Sequence, residues 1–200
     1  MLEYTYENEA EASGYKIICG VDEAGRGPLM GPVCAAAVIL PRGLVIDGLN
    51  DSKKLTEKKR EALFPQITGA AIAYGIAFSS VREIDELNIL NATMLAMNRA
   101  IRALSVKADF ALIDGNCKRS IEIPATTIVG GDAKCPSIAA ASVLAKVSRD
   151  RLCYELDEKY PQYGFAKHKG YGTKEHMDAL RKYGPCPAHR MTFLKFLNDE

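Results

Sequence analysis

Ligand-spaced cysteines are missing from this chain. Its six cysteines, Cys19, Cys34, Cys117, Cys135, Cys153 and Cys186, never come closer than fifteen residues. No C-x-x-C pair exists, which argues against a zinc site or redox pair. Several cysteines lie in apolar runs as small core hydrophobes, which fits a reducing compartment. No charged-then-apolar leader opens the chain and no run of about 18 apolar residues occurs, so the expected compartment is the cytoplasm and no membrane contact is expected. Internal repeats, low-complexity tracts and the G-K-[ST] of a Walker A loop are also missing. Net charge is nearly missing too, at +1 over 200 residues.

With 48% hydrophobic and 26% charged residues, the composition is that of a soluble globular protein. A chain of this length buries a continuous core alone, so a monomer suffices. The charge is unevenly spread. Residues 1–15 carry Glu3, Glu7, Glu9 and Glu11 without a basic partner and read as a flexible acidic tail, whereas residues 133–195 hold 12 Lys or Arg against 6 Asp or Glu. That last third is suited to face a polyanion.

The apolar runs at 16–22 and 33–40 read as two strands joined by a loop and paired antiparallel. A short helix is expected over TEKKREALFPQI and a strand over 70–78. The three- and four-residue spacing of Ile84, Leu87, Leu90, Met94, Met97 and Ile101 predicts one long amphipathic helix between 81 and 104. FALID (110–114) and ATTIVGGD (125–132) read as buried strands, the alanine-rich segment from Pro136 as a helix packed on the sheet, and 174–183 as another helix before a last apolar stretch at 191–197. The sum is an α/β domain with a mixed sheet and a helical C-terminal section.

Three apolar runs end in an acid beside glycine: GVDEAG, LIDGN and VGGDA. If these strands are neighbours, Asp22, Glu23, Asp114 and Asp132 converge at one sheet edge, where unpaired carboxylates repel and a hard divalent cation, Mg²⁺ or Mn²⁺, offsets the repulsion. Adjacent strand residues point to opposite faces, so Asp22 and Glu23 share one centre only if the chain leaves the strand there. Taken singly, each acid reads more readily as a turn former, and it is three such sites at strand ends that shift the balance. The following G-R-G, Gly25 to Gly27, fits neither a dinucleotide fingerprint nor a Walker A loop, but its backbone can approach a ligand, with Arg26 as a phosphate partner or the whole as a tight turn. In HKGYGT, lysines surround Tyr171, which could stack on a sugar or base or simply sit half-buried in a solvated loop. His168, His176 and His189 have no metal-ligand spacing; solvent or hydrogen-bonding roles are expected of the last two.

GVDEAGRGPLMGPV, LNDSKKL, EIDELNILNATMLAM, LIDGN, GGDAKCPSIAAASVLAKVSRDR and YGFAKHKGYGT, in this order, resemble the bacterial ribonuclease HII family from about Lys16 to about Phe193. The resemblance implies a ribonuclease H-like fold and an endonuclease that hydrolyses the RNA strand of RNA–DNA hybrids. It also implies incision 5′ of single ribonucleotides in duplex DNA, leaving a 3′-hydroxyl and a 5′-phosphate with two divalent ions. It assigns the acidic quartet to Asp22, Glu23, Asp114 and Asp132, ribose recognition to Gly25, Arg26 and Gly27, and junction sensing to Tyr171. Lys53, Lys54, Lys146, Arg149 and Lys169 are candidate phosphate contacts, and Ser142 lies one helical turn from Lys146. Residues 16–160 would form the catalytic domain and 161–200 a helical substrate-binding section packed on it. A ribonuclease HIII would be longer and lack G-R-G; a non-catalytic nucleic-acid-binding module on the same fold would tolerate loss of an acid. The C-terminal LKFLNDE contains no recognisable sliding-clamp peptide, and no protein partner is required.

Overall fold

The structure, a computed structural model, describes residues 2–195. Its elements are α1 (Thr5–Ala12), β1 (Ile18–Ala24), β2 (Val33–Ile39), α2 (Glu57–Ala70), β3 (Ala73–Ser79), α3 (Val81–Leu87), α4 (Ile89–Arg102), β4 (Phe110–Asp114), β5 (Ala125–Ile128), α5 (Pro136–Lys159), α6 (Phe165–His168) and α7 (Lys174–Tyr183), with short 3-10 turns between some of them. Strand alternation sets the layers. Every residue of β2 is buried, but Val33, Ala35, Ala37 and Ile39 pack with Met94, Met97 and Ala100 of α4, while Cys34, Ala36 and Val38 pack with α2 and α5.

The sheet runs β3-β2-β1-β4-β5. The expected antiparallel β1–β2 pair is present, β2–β3 is also antiparallel, and β1–β4 and β4–β5 are parallel. Parallel pairing sends the C-terminal ends of β1, β4 and β5 to one edge. That edge is where the acids lie. Among the described residues, no helix is long and apolar enough to cross a membrane.

Two expectations are corrected. Residues 5–12, read as loose tail, form α1: Tyr6 and Ala10 pack near Ile138, and buried Glu7 accepts hydrogen bonds from the Ser137 backbone at 3.2 Å and hydroxyl at 2.8 Å. Glu7 thereby satisfies an otherwise free amide at the N-terminus of α5 and places negative charge at the positive end of its dipole. The long helix at 81–104 is two helices, broken at Asn88, whose φ of 68° no helix accommodates and whose side chain caps Asn91 N at 3.1 Å. The apolar spacing hid the break because Ile84, Met94, Met97 and Ile101 still face one core. Of the stretch expected at 191–197, Met191–Phe193 form a 3-10 turn, while residues 196–200, with most of LKFLNDE, lie outside the described residues.

The C-terminal section closes around Met30, Tyr163, Phe165 and Leu180. Its three histidines are buried and serve the backbone. His176 donates from Nδ1 to Tyr171 O at 2.9 Å, leaving its Nε2 to accept from His189 Nε2 at 3.0 Å, and His189 Nδ1 accepts from Cys186 N at 2.9 Å. Burial, then the neighbouring His176, lowers the His189 pKa to about 4. The unfolded chain therefore takes up a proton near pH 6.5 that the folded one refuses, so stability present above pH 6.5 is lost as pH falls towards 4. Urea titrations are expected to show roughly 1 to 2 kcal/mol lost at this site between pH 7 and pH 5. His189→Gln should flatten that slope; an unchanged slope would assign the acid sensitivity elsewhere.

Candidate active site

β1 carries Asp22, β4 ends on Asp114, and after β5 a left-handed Gly130 (φ 64°) turns the chain into a 3-10 turn bearing Asp132. Oxygen atoms of Asp22, Asp114 and Asp132 all lie within 4.8 Å of one another. Asp114 Oδ1 accepts from Gly131 N at 2.7 Å, which fastens the Asp132 turn to β4. Burial, then the charges of Glu23 and Asp114, push the Asp22 carboxyl well above the usual carboxylate range. Burial followed by Asp114 also raises Asp132, against the attraction of Lys53, whose Nζ is 3.4 Å away. Three oxygen donors that repel one another when ionised fit a hard divalent cation such as Mg²⁺ or Mn²⁺.

Glu23 stands at the edge of this group. The chain does not leave the strand at Asp22, since β1 continues to Ala24 with Asp22 opposite Ala36 and Glu23 opposite Ala35. The group of oxygens within 4.8 Å of one another does not include Glu23. Its carboxylate lines the same cleft and pairs with Arg26 at 3.2 Å.

The cleft, about 200 Å³, has Arg26, Gly27, Ser52, Lys53, Lys146 and Tyr171 along its walls. Gly25 stands at φ 97°, and a Cβ there would lie 2.8 Å from Arg149 Nε, so the position requires glycine twice over. A Cβ on Gly27 would lie 3.4 Å from the Tyr171 ring, which is half exposed. Ser142 and Ser52 share a hydrogen bond of 2.6 Å, which docks the LNDSKKL loop on α5. Lys146 reaches the cleft while paired with Asp150 at 2.7 Å.

The other basic candidates resolve differently. Lys53 faces the acids, whereas Lys54 is exposed and not part of the cleft wall, because consecutive residues of a 3-10 turn diverge. Lys169 is committed within the protein: its ammonium donates to Tyr154 Oη at 2.8 Å and Ala166 O at 2.5 Å and lies 4.0 Å above the Tyr154 ring. Arg149 is buried and donates to the carbonyls of Lys169 (2.6 Å) and Met30 (3.1 Å), so it ties two loops together and is not free for phosphate. Sequence reasoning missed Ser52, although its segment carried part of the resemblance, and the partly buried Arg60–Asp150 pair, in which Arg60 also donates to Ser52 O at 3.0 Å. It also missed Arg190, for which no sequence signal exists.

Comparison with known proteins gives a consistent result. The family model described as Ribonuclease HII matches residues 19–196. A ribonuclease HII of Acetivibrio thermocellus is 58% identical over 190 residues, 95% of this chain and 74% of that protein. Among solved structures, the ribonuclease H2 of Pyrococcus horikoshii superposes with a TM-score of 0.73 at 28% identity, covering 88% of this chain and 93% of that one. The ribonuclease HII of Archaeoglobus fulgidus, solved as a complex with PCNA, gives 0.73 at 25% identity, with 88% and 94% covered.

Proposed function

The chain belongs to the ribonuclease HII family and is a ribonuclease H type endonuclease, and from that premise we propose that it cuts the RNA strand of RNA–DNA hybrids and incises duplex DNA 5′ of a single ribonucleotide. The products would be a 3′-hydroxyl and a 5′-phosphate. One observation supports this reading above the rest: Asp22 and Asp114, which cluster with Asp132, line a single cleft with the G-R-G backbone and the Tyr171 ring. A bond-breaking centre thus adjoins a surface able to test a sugar.

Asp22, Asp114 and Asp132, with Glu23 beside them, would hold divalent ions, two during catalysis. Such ions supply activation of a water and charge neutralisation at the leaving oxygen. Lys53 offsets the Asp132 charge, and Ser142 lines the cleft with Asp22 while anchoring Ser52. Gly25 to Gly27 present main-chain groups to the ribose 2′-hydroxyl, which both donates and accepts hydrogen bonds. Tyr171 packs on the following sugar, where a second 2′-hydroxyl would crowd the ring. Residues 16–160 in this reading carry the acids, and the section from 161 onward brings Tyr171 to them.

The test is incision of duplex DNA containing one ribonucleotide by the purified protein alone with Mg²⁺ or Mn²⁺; an intact duplex ends the proposal. Tyr171→Ala is expected to lower cutting at the single ribonucleotide roughly tenfold more than cutting within a long RNA tract, consistent with about 1 to 3 kcal/mol for an aromatic stacking contact. Equal losses on the two substrates would remove the junction role.

A further inference from the structure

We propose that Arg190 is a positioning residue that presets the Gly25–Gly27 backbone for ribose recognition, an inference that rests on the reading of that segment given above. Arg190 is fully buried. Among the described residues, no carboxylate lies within ion-pair distance of it. Its donors go to the main chain of one loop instead: Nε to Gly31 O at 2.8 Å, Nη1 to Arg26 O at 3.0 Å and Pro28 O at 2.7 Å, and Nη2 to Gly25 O at 2.6 Å. A single guanidinium thus collects four carbonyls within seven residues.

The peptide plane converts that grip into a functional orientation. In a trans peptide the C=O of one residue and the N–H of the next point in opposite directions, and among the described residues no peptide is cis. Drawing the Gly25 and Arg26 carbonyls inward therefore turns the amides of Arg26 and Gly27 outward. Both residues line the cleft. The next captured carbonyl, on Pro28, belongs to the peptide whose amide, on Leu29, donates to Gly170 O at 2.8 Å. Arg190 therefore orients two amide donors and, through the same loop, holds it against the residue preceding Tyr171. Arg149 braces the far side through Met30 O and Lys169 O.

Only a planar fork of donors can serve carbonyls spread around it in this way. Lysine keeps the charge and most of the stem but offers a single donor centre, so Arg190→Lys isolates the geometry. The assay compares kcat and KM on a duplex with one ribonucleotide and on a continuous RNA–DNA hybrid, alongside thermal melting with and without Mg²⁺. The variant is expected to melt cooperatively and keep its Mg²⁺-induced shift. Its kcat/KM at the single ribonucleotide should fall roughly ten- to a hundredfold further than on the hybrid, as misplacement of a positioned group does. Arg190→Ala, assayed with and without millimolar methylguanidinium, should recover part of that selective loss.

Equal losses on both substrates, or no loss on either, would overturn the inference while leaving the proposed function standing. If the unsubstituted protein fails to cut the single-ribonucleotide duplex, the function and the inference fall together.

Discussion

Asp22→Asn is expected to lower Mg²⁺-dependent cleavage by roughly a thousandfold, to leave hybrid binding intact, and to make the metal-free protein more stable. The Asp22 carboxylate is almost fully buried and stands with Asp114 and Asp132 inside 4.8 Å. Removing one charge from the proposed cation site forfeits several kcal/mol of charge stabilisation, and about 4 kcal/mol corresponds to three orders of magnitude in rate. The stability effect has the opposite sign. Because burial and the charges of Glu23 and Asp114 raise the folded-state pKa of Asp22, its ionised form destabilises the fold at neutral pH. Asparagine keeps the acceptor for Glu23 N, now at 2.7 Å, and discards the charge. Each kcal/mol relieved should raise Tm by roughly 2 to 4 °C in EDTA, while the stabilisation produced by Mg²⁺ in the unsubstituted protein shrinks or disappears. Persistent cleavage together with an unchanged Mg²⁺ shift would remove Asp22 from the cation site.

These acids were legible because each closes an apolar run beside glycine, a pattern that survives in one dimension. Their meeting was not, because it depends on parallel pairing of β1 with β4 and β4 with β5, which no local signal specifies. Arg190 stayed invisible for a different reason: its partners lie about 160 residues earlier and are main-chain carbonyls, which carry no residue code. α1 was hidden similarly, since Glu7 becomes a helix cap only when Ser137, 130 residues later, arrives beside it. Lys53 and Lys54 are chemically the same in sequence, and only the 3-10 turn tells them apart.

Gly20→Ala is expected to destabilise the protein by about 3 kcal/mol, at the upper end of the usual range for overpacking, and to lower Tm by roughly 6 to 12 °C. Gly20 lies on the face of β1 turned to α5, two residues before Asp22. A Cβ there would stand 2.2 Å from Ser137 C and 2.3 Å from Ile138 N. Those are backbone atoms in the first turn of a helix and cannot rotate aside, so the relief must come from moving α5 as a whole. That helix is held at its start by Glu7 and along its length by Ala140, Ala141, Val143 and Leu144 in the core, so movement is resisted at both points. It also carries Ser142, which holds Ser52 at 2.6 Å, and Lys146, so displacement should weaken Mg²⁺-induced stabilisation as well as the fold. Gly69 supplies the opposite sign: it lies within α2 with nothing within 4 Å of an added Cβ, so Gly69→Ala should stabilise by about 0.5 to 1 kcal/mol through the unfolded chain and leave the cleft alone. Thermal and urea unfolding of the two variants side by side checks the pair. If Gly20→Ala melts within about 2 °C of the unsubstituted protein, the β1–α5 contact has slack, and the close approach of strand and helix does not fix the position of Asp22.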